Sequence, residues 1–189
     1  VMLPGRLTRW KGQTVLIEAI AKLECTDIRC LLVGSDQGRT GYRSELENLI
    51  AKRGLESVVH LVDDCKDMPA ALMLADAVVS ASTDPEAFGR VIVEAQAMGR
   101  PIIAADHGAS QELVLPDETG WLVPPNEPDA LANALRQALA LDAQARETRA
   151  RRAIARAQKL FTKQTMCAAT LDVYRELLEE AQIDGEAAA

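Results

Sequence analysis

The chain alternates short apolar runs with longer segments in which apolar residues recur at helical spacing. The apolar runs predict strands over residues 1–3, 28–33, 58–62, 77–80, 101–104 and 121–123. The segments between them predict helices over residues 13–23, 42–53, 69–75 and 90–98. Strands that alternate with helices are typical of a parallel sheet covered on both faces. We therefore predict an α/β fold, a Rossmann-like doubly wound parallel sheet of about six strands.

After Trp121 the pattern becomes helical, with predicted helices over residues 128–139, 142–160 and 163–182. Residues 1–160 are expected to form one Rossmann-like domain, and residues 161–189 a C-terminal helical tail of the same domain. The chain opens directly with a core strand. Because domains rarely begin so abruptly, we expect a fragment of a longer protein.

Composition narrows the function classes. The 189 residues carry a net charge of -7, and this acidic balance argues against a general nucleic-acid binder, which needs a basic surface. No apolar run approaches the roughly 18 residues that span a bilayer. The four cysteines form no Cys-x-x-Cys pair, so we expect reduced, buried thiols in a cytoplasmic protein and no structural zinc.

The loop after the first strand, residues 5–12, concentrates positive charge beside glycine. Gly5 and Gly12 bracket Arg6, Arg9 and Lys11. Glycine lets the backbone approach a ligand closely, and Arg6 and Lys11 can supply fixed positive charge to a diphosphate. The loop lacks the residue order of a Walker A sequence, and the chain has no Gly-x-Gly-x-x-Gly signature. A solvated basic loop with no ligand is the alternative.

The loop after the fourth predicted strand leads into a helix near Gly89, with a glutamate on either side of the helix start. The free N–H groups of a helix start can bind an anion. Helical side chains lean toward the helix N-terminus, so Glu94 could reach back toward the same pocket. Its apolar neighbours predict a mostly buried carboxylate that needs partners, such as vicinal ribose hydroxyls. The alternative is a Glu94 paired with a local arginine or a backbone N–H.

Taken together, these segments resemble the carboxyl-terminal domain of group 1 (family 4) retaining glycosyltransferases, which have the two-domain GT-B fold. The resemblance covers nearly the whole chain. It rests on the order and spacing of several short motifs, which are Gly5-Arg6-Leu7 with Lys11-Gly12, Leu31-Leu32-Val33-Gly34, Asp67-Met68-Pro69, Glu86-Ala87-Phe88-Gly89 with Glu94-Ala95, Met98-Gly99-Arg100-Pro101 and Glu118-Thr119-Gly120-Trp121.

The resemblance implies a nucleoside-diphosphate sugar as co-substrate, with no metal and no other cofactor. Arg6 and Lys11 would hold the diphosphate and stabilise charge on the departing nucleotide, and Glu86 would face the sugar or a neighbouring charge. Glu94 would accept hydrogen bonds from the ribose. The other implied donor-binding residues are Gly5, Phe88 and Gly89 at the phosphates, Val62 and Asp63 at the base, and Gly34 close to the base.

Two loops depart from the family pattern. Asp63 stands where a glycine is usual and is followed by Asp64, and Gly108-Ala109 replaces a Gly-Gly pair. His107 would line the sugar site or serve as an ordinary loop residue. Two other functions stay open: a non-catalytic module that binds a nucleotide sugar, and another GT-B enzyme such as an epimerase.

The resemblance also implies a missing N-terminal acceptor domain, without which the fragment would be inactive. The C-terminal helix would cross to that domain; in the fragment alone, its apolar face could mediate a homodimer. We expect the full-length enzyme to act in polysaccharide or lipopolysaccharide synthesis. We expect it in the cytoplasm, at the inner face of the membrane, in peripheral contact with the membrane and without a membrane span.

Overall fold

Six parallel strands form a single sheet in the computed structural model, which describes residues 1–23, 25, 27–38 and 40–187, with side chains up to residue 179. The strands are β1 (Met2–Pro4), β2 (Cys30–Val33), β3 (Val59–Val62), β4 (Val78–Ser80), β5 (Ile102–Ala105) and β6 (Gly120–Val123). Their order is β3-β2-β1-β4-β5-β6. The chain therefore winds outward in one direction from β1 and then in the other from β4, as predicted. The carboxyl ends of β1 and β4 flank the switch point, where ligands of such sheets bind.

Eight helices are described, and most lie within two residues of the predicted bounds. They are α1 (Gln13–Ala21), α2 (Thr40–Lys52), α3 (Met68–Met73), α4 (Arg90–Ala97), α5 (Ser110–Leu113), α6 (Pro128–Leu139), α7 (Ala143–Leu160) and α8 (Lys163–Ala187). The prediction missed α5 and a 3-10 turn at Arg9–Lys11, because elements of three or four residues are too short to show a periodic pattern.

The two faces of the sheet bury separate apolar cores. Along β1, Leu3 belongs to one core and Met2 to the other, as the alternation of strand side chains requires. The first core includes Leu16 of α1 and Leu135 of α6, and the second includes Ile92 of α4. Helices on both faces thus hold the strands rigidly, and the loops at the strand ends are left to form a site.

The described side chains of the last helix, α8, are those of residues 163–179, and all of them except Thr165 are exposed. Its exposed apolar residues are Met166, Leu171, Val173, Tyr174, Leu177 and Leu178. The predicted helix, residues 163–182, was five residues too short, since α8 continues to Ala187. Residues 188 and 189 lie outside the described part. Its crossing to another domain and its use in a homodimer stay predictions. Within the described residues, no helix combines the length and the apolar character that a membrane span needs.

The cysteines depart in part from the expectation of buried thiols. All four are free, and Cys30 is buried, but Cys25 and Cys167 are exposed and Cys65 is intermediate. Burial raises the pKa of the Cys30 thiol to about 12. Cys25 and Cys167 are exposed because one follows α1 in a surface loop and the other lies on the solvent-facing α8.

Candidate functional site

Two loops meet at the switch point of the sheet: the first loop (residues 5–12), which follows β1, and the fourth loop (residues 81–89), which follows β4. The backbone N–H of Thr83 donates to the carbonyl oxygen of Trp10 at 2.7 Å. Gly12 has φ +72, and a Cβ there would lie 1.8 Å from the carbonyl oxygen of Ala81. No other residue fits this contact, so Gly12 is what allows the two loops to touch.

A cleft of about 470 Å³ opens between these loops and the start of α4. Its walls contain the predicted residues of both loops and of α4: Gly5, Arg6, Lys11, Glu86, Phe88, Gly89 and Glu94. Trp10, Ala87, Arg90 and Val91 complete the lining. The fold therefore brings together residues that are more than 80 positions apart in sequence, and it does so at the edge where a doubly wound sheet binds ligands.

Lys11 and Glu86 form an ion pair across the cleft floor. The Nζ atom of Lys11 lies 2.8 Å from Oε1 of Glu86, and the two side chains are only 14% and 20% exposed. The hydroxyl of Ser82 donates to the same carboxylate oxygen. The Lys11 ammonium also lies 4.2 Å from the centre of the Trp10 ring, a cation–π contact. Glu86 thus faces a neighbouring charge, which is one of its two predicted surroundings.

Arg6 and Glu94 stand free in the same cleft. Both are exposed, and within the described residues neither side chain has a hydrogen bond or ion pair. The prediction of a mostly buried Glu94 was wrong, because α4 turns Ile92, Ala95 and Gln96 into the core and leaves Glu94 on its outer face. The alternative pairing of Glu94 with a local arginine is not seen, and its carboxylate is available to a ligand.

A buried glutamine that the sequence reasoning missed supports the first loop from below. Gln13, at the start of α1, is fully buried. Its Nε2 donates to the carbonyl oxygen of Arg6 at 2.8 Å, and its Oε1 accepts from the hydroxyl of Tyr42 at 3.2 Å. These bonds fix the backbone that carries the Arg6 side chain. The signal in the sequence was a glutamine beside the apolar residues of a helix start, where a polar side chain must find partners.

Three predicted residues lie outside the cleft lining: Gly34, Val62 and Asp63. Gly34 follows β2, and Val62 and Asp63 lie at the end of β3. These strands are on one side of β1, whereas the cleft lies between β1 and β4. Asp63 accepts a hydrogen bond from Arg43 at 2.9 Å, and this bond raises the pKa of Arg43. Gly34 has a packing role, because a Cβ there would lie 2.1 Å from the carbonyl oxygen of Gly5. Their proposed contact with the base stays a prediction.

His107 lies behind the cleft and braces the fourth loop. Its Nε2 is 2.9 Å from the carbonyl oxygen of Ser82, and the backbone N–H of Ala109 donates to the carbonyl oxygen of Glu86 at 3.1 Å. The loop after β5 therefore holds the segment that presents Glu86. Of the two predicted roles of His107, this geometry matches the loop residue.

No set of three histidine, cysteine, aspartate or glutamate side chains among the described residues comes together as a metal-ligand group. The positive charges that line the cleft are those of Arg6, Lys11 and Arg90. Side chains of this kind bind phosphate oxygens directly. The arrangement can therefore receive a phosphorylated ligand with a hydroxyl-bearing group beside it at Glu94.

Comparison with known proteins identifies the family. The family described as "Glycosyl transferases group 1" matches residues 1–159. The chain belongs to this family. The predicted resemblance is thereby confirmed, and the sheet, the two loops and the cleft described above are those of a group 1 glycosyl transferase.

The chain is also similar to individual glycosyltransferases, in sequence and in structure. The D-inositol 3-phosphate glycosyltransferase of Xylanimonas cellulosilytica is 33% identical over 178 residues, which cover 93% of this chain and 42% of that protein. A glycosyltransferase from Rickettsia africae has a TM-score of 0.89 at 32% identity, over 94% of this chain and 47% of its own. Anabaena HepE, solved in complex with UDP, has a TM-score of 0.82 at 37% identity, over 91% and 48%. This chain spans less than half the length of each of these relatives.

Proposed function

We propose that this chain is the donor-binding half of a retaining glycosyltransferase that moves a sugar from a nucleoside-diphosphate sugar to an acceptor in glycan or polysaccharide synthesis. The observation that carries this proposal is the cleft at the switch point, where the free cation of Arg6 and the free carboxylate of Glu94 face one ligand space. The complex of Anabaena HepE with UDP supports a nucleotide as that ligand.

Transfer of the sugar requires stabilisation of the departing diphosphate more than it requires a strong base. Arg6 and Lys11 supply two positive charges at the carboxyl end of β1, and α4 begins directly after Gly89. Fixed cations and the backbone N–H groups of a helix start can stabilise developing negative charge without a metal ion. We therefore propose metal-free catalysis.

The remaining parts of the donor have complementary neighbours. Glu94 accepts hydrogen bonds from the two ribose hydroxyls, as a carboxylate without other partners can. Glu86 lies next to the phosphate site and contacts the sugar once a ligand draws Lys11 away from it. The base extends toward Val62 and Asp63 beyond the end of β3, and Gly34 keeps the backbone there close to Gly5.

The acceptor side of the reaction belongs to another domain. Both substrates must be held within reacting distance for transfer to occur. We propose that α8, whose apolar residues are exposed, crosses to an N-terminal acceptor domain, and that residues 1–189 alone transfer no sugar. The complete enzyme would work in the cytoplasm, at the inner face of the membrane.

The test is calorimetric titration of the 189-residue chain with UDP, GDP and ADP, each at millimolar concentration. We expect binding of at least one of them, weakened about tenfold or more by Arg6→Ala, since hydrogen bonds to charged groups contribute roughly 1.5–3 kcal/mol each. The matched control is Arg9→Ala. Arg9 lies in the same loop, but its guanidinium pairs with Glu45 outside the cleft, so its removal should leave the affinity unchanged.

Two further measurements separate the parts of the proposal. Glu94→Gln should reduce the preference for UDP over inorganic pyrophosphate, because only UDP carries a ribose. EDTA should not alter binding if the diphosphate is held by side chains alone. Failure of all three nucleotides to bind would overturn the assignment, and an unchanged preference in Glu94→Gln would make Glu94 a structural residue.

A further inference from the structure

Arg90 is a charged residue of the cleft to which the sequence reasoning assigned no role. It is the first residue of α4, its side chain is exposed, and it lines the cleft together with Arg6 and Glu94. In the part of the chain that the structure describes, its guanidinium has neither a hydrogen bond nor an ion pair. A cation at the amino end of a helix is electrostatically unfavourable. No hydrogen bond or ion pair among the described residues offsets that cost. Binding of an anion would offset it.

The charges of the cleft leave Arg90 as a second free cation. Arg6, Lys11 and Arg90 are positive, and Glu86 and Glu94 are negative. Because Lys11 is paired with Glu86, the cleft cations that have no partner among the described residues are Arg6 and Arg90. A diphosphate esterified at both ends carries two negative charges. These two cations match the charge of such a ligand, and Lys11 can join them only by leaving Glu86.

The position of Arg90 relative to Glu94 indicates which phosphate it meets. The two residues are four positions apart, on one face of α4, with Cβ atoms about 5–6 Å apart by helix geometry. They nevertheless form no ion pair. This separation is comparable to that between the ribose hydroxyls of a nucleotide and its own 5′-phosphate. A ribose at Glu94 would then place that phosphate toward the helix start, beside Arg90.

We propose that Arg90 binds the proximal phosphate, the one esterified to the ribose, while Arg6 and Lys11 bind the distal phosphate. This inference rests on the proposed function, since it takes Glu94 as the ribose residue. It assigns to Arg90 the recognition of the phosphate that joins the nucleoside to the rest of the ligand. One consequence is that the cleft recognises a nucleoside monophosphate, which lacks the distal phosphate but keeps every contact with Glu94 and Arg90.

The experiment compares UDP, UMP and uridine by calorimetric titration of the wild-type chain and of Arg90→Leu and Arg6→Ala variants. Leucine has a helix propensity similar to that of arginine, so this substitution removes the charge and preserves the helix. We expect Arg90→Leu to weaken UDP and UMP alike, by about tenfold or more, and to leave uridine unchanged. Arg6→Ala should weaken UDP more than UMP. Arg152→Leu is the matched control, because Arg152 is an exposed arginine on α7, outside the cleft.

The outcomes separate this inference from the proposed function. Absence of UDP binding by the wild-type chain contradicts the proposed function itself. UDP binding that Arg90→Leu leaves intact contradicts the inference alone. A variant that loses affinity for UDP but not for UMP would assign Arg90 to the distal phosphate, also against the inference.

An Arg90→Lys variant guards against a loss caused by misfolding. It keeps the positive charge without the guanidinium fork, so we expect an affinity for UMP between those of the wild type and Arg90→Leu. Far-ultraviolet circular dichroism and urea unfolding should be the same for all three proteins. An Arg90→Lys variant that binds UMP no better than Arg90→Leu, in an equally folded protein, would contradict a charge contact with the phosphate.

Discussion

The ion pair between Lys11 and Glu86 offers the sharpest test of the cleft as the structure describes it. Lys11→Met removes the ammonium but keeps an unbranched apolar stem that can pack beside Gly5. Glu86 is then left with the Ser82 hydroxyl as its remaining hydrogen-bond donor, although its side chain is only 20% exposed. A carboxylate that is mostly removed from water and has lost its counter-charge destabilises the folded state.

The magnitude follows from the burial of the pair. Exposed ion pairs contribute about 0.2–1 kcal/mol, and removal of one partner from a buried pair costs about 3–5 kcal/mol. At 14% and 20% exposure the pair lies nearer the buried limit, so we expect Lys11→Met to lower the free energy of unfolding by roughly 2–3 kcal/mol. Glu86→Gln keeps a hydrogen-bonding side chain and should cost only about 1 kcal/mol. The double variant leaves no unpaired charge, so we expect it to be more stable than Lys11→Met alone.

Urea unfolding of the four proteins closes a double-mutant cycle, whose coupling free energy we expect to be roughly 1–2 kcal/mol. Nucleotide titration gives an independent readout. Glu86→Gln removes a negative charge and frees Lys11, so UDP should bind more tightly by roughly 1 kcal/mol, about fivefold. Additive effects in the cycle, together with weaker UDP binding in Glu86→Gln, would contradict the pairing of Lys11 with Glu86.

Two further predictions concern the scaffold. Gly12→Ala should destabilise the fold by about 2 kcal/mol or more, since its Cβ would meet the Ala81 carbonyl oxygen at 1.8 Å and strained backbone adds to the cost. Gly41→Ala in α2, where a Cβ has no neighbour within 4 Å, should instead stabilise the folded chain by roughly 0.5–1 kcal/mol. If urea unfolding showed the same change in stability for Gly12→Ala and Gly41→Ala, the contact between the loops would be contradicted. The pKa of Cys30, raised to about 12 by burial, predicts a loss of stability as pH rises. In the unfolded chain this thiol loses its proton near pH 8.5, whereas the folded chain keeps it, so the free energy of unfolding should fall by up to about 1.4 kcal/mol per pH unit above that point. Urea unfolding at pH 8, 9 and 10 should show a shallower decline in Cys30→Ala, and parallel slopes would contradict the prediction.

The sequence was sufficient for the fold because the pattern that specifies it is local. The strand cores of β1 to β6 and the bounds of α6 could be predicted from apolar runs and helical spacing within a few neighbouring residues. Pro128 marks the start of α6, since proline suits the first turn of a helix. The short helix α5 could not be predicted in this way, because four residues are too few to define a period.

The residues of the candidate site could also be named from the sequence, but their burial and their ion pairing could not. Arg6, Lys11, Glu86 and Glu94 stood out as charges beside glycines and a helix start, at the ends of predicted strands. The apolar neighbours of Glu94 indicated burial, and the structure shows exposure, because the direction in which α4 faces depends on what packs beneath it. Arg90 was overlooked for the same reason. The sequence does not show whether the side chain at the start of a helix lines a cleft or faces solvent, and only the structure places Arg90 in the cleft.

What the sequence by itself determined was the order of strands and helices, the family, and which loops carry the chemistry. What only the tertiary structure decided was how those loops share their charges. Lys11 and Glu86 are 75 positions apart, and no local pattern relates them; they meet because β1 and β4 are neighbours in the sheet. Hydrophobic periodicity acts over a few residues and fixes the elements, whereas an ion pair depends on distances of a few ångströms between distant segments. Which cleft cations lack a partner among the described residues, Arg6 and Arg90 rather than Lys11, is therefore a property of the folded chain.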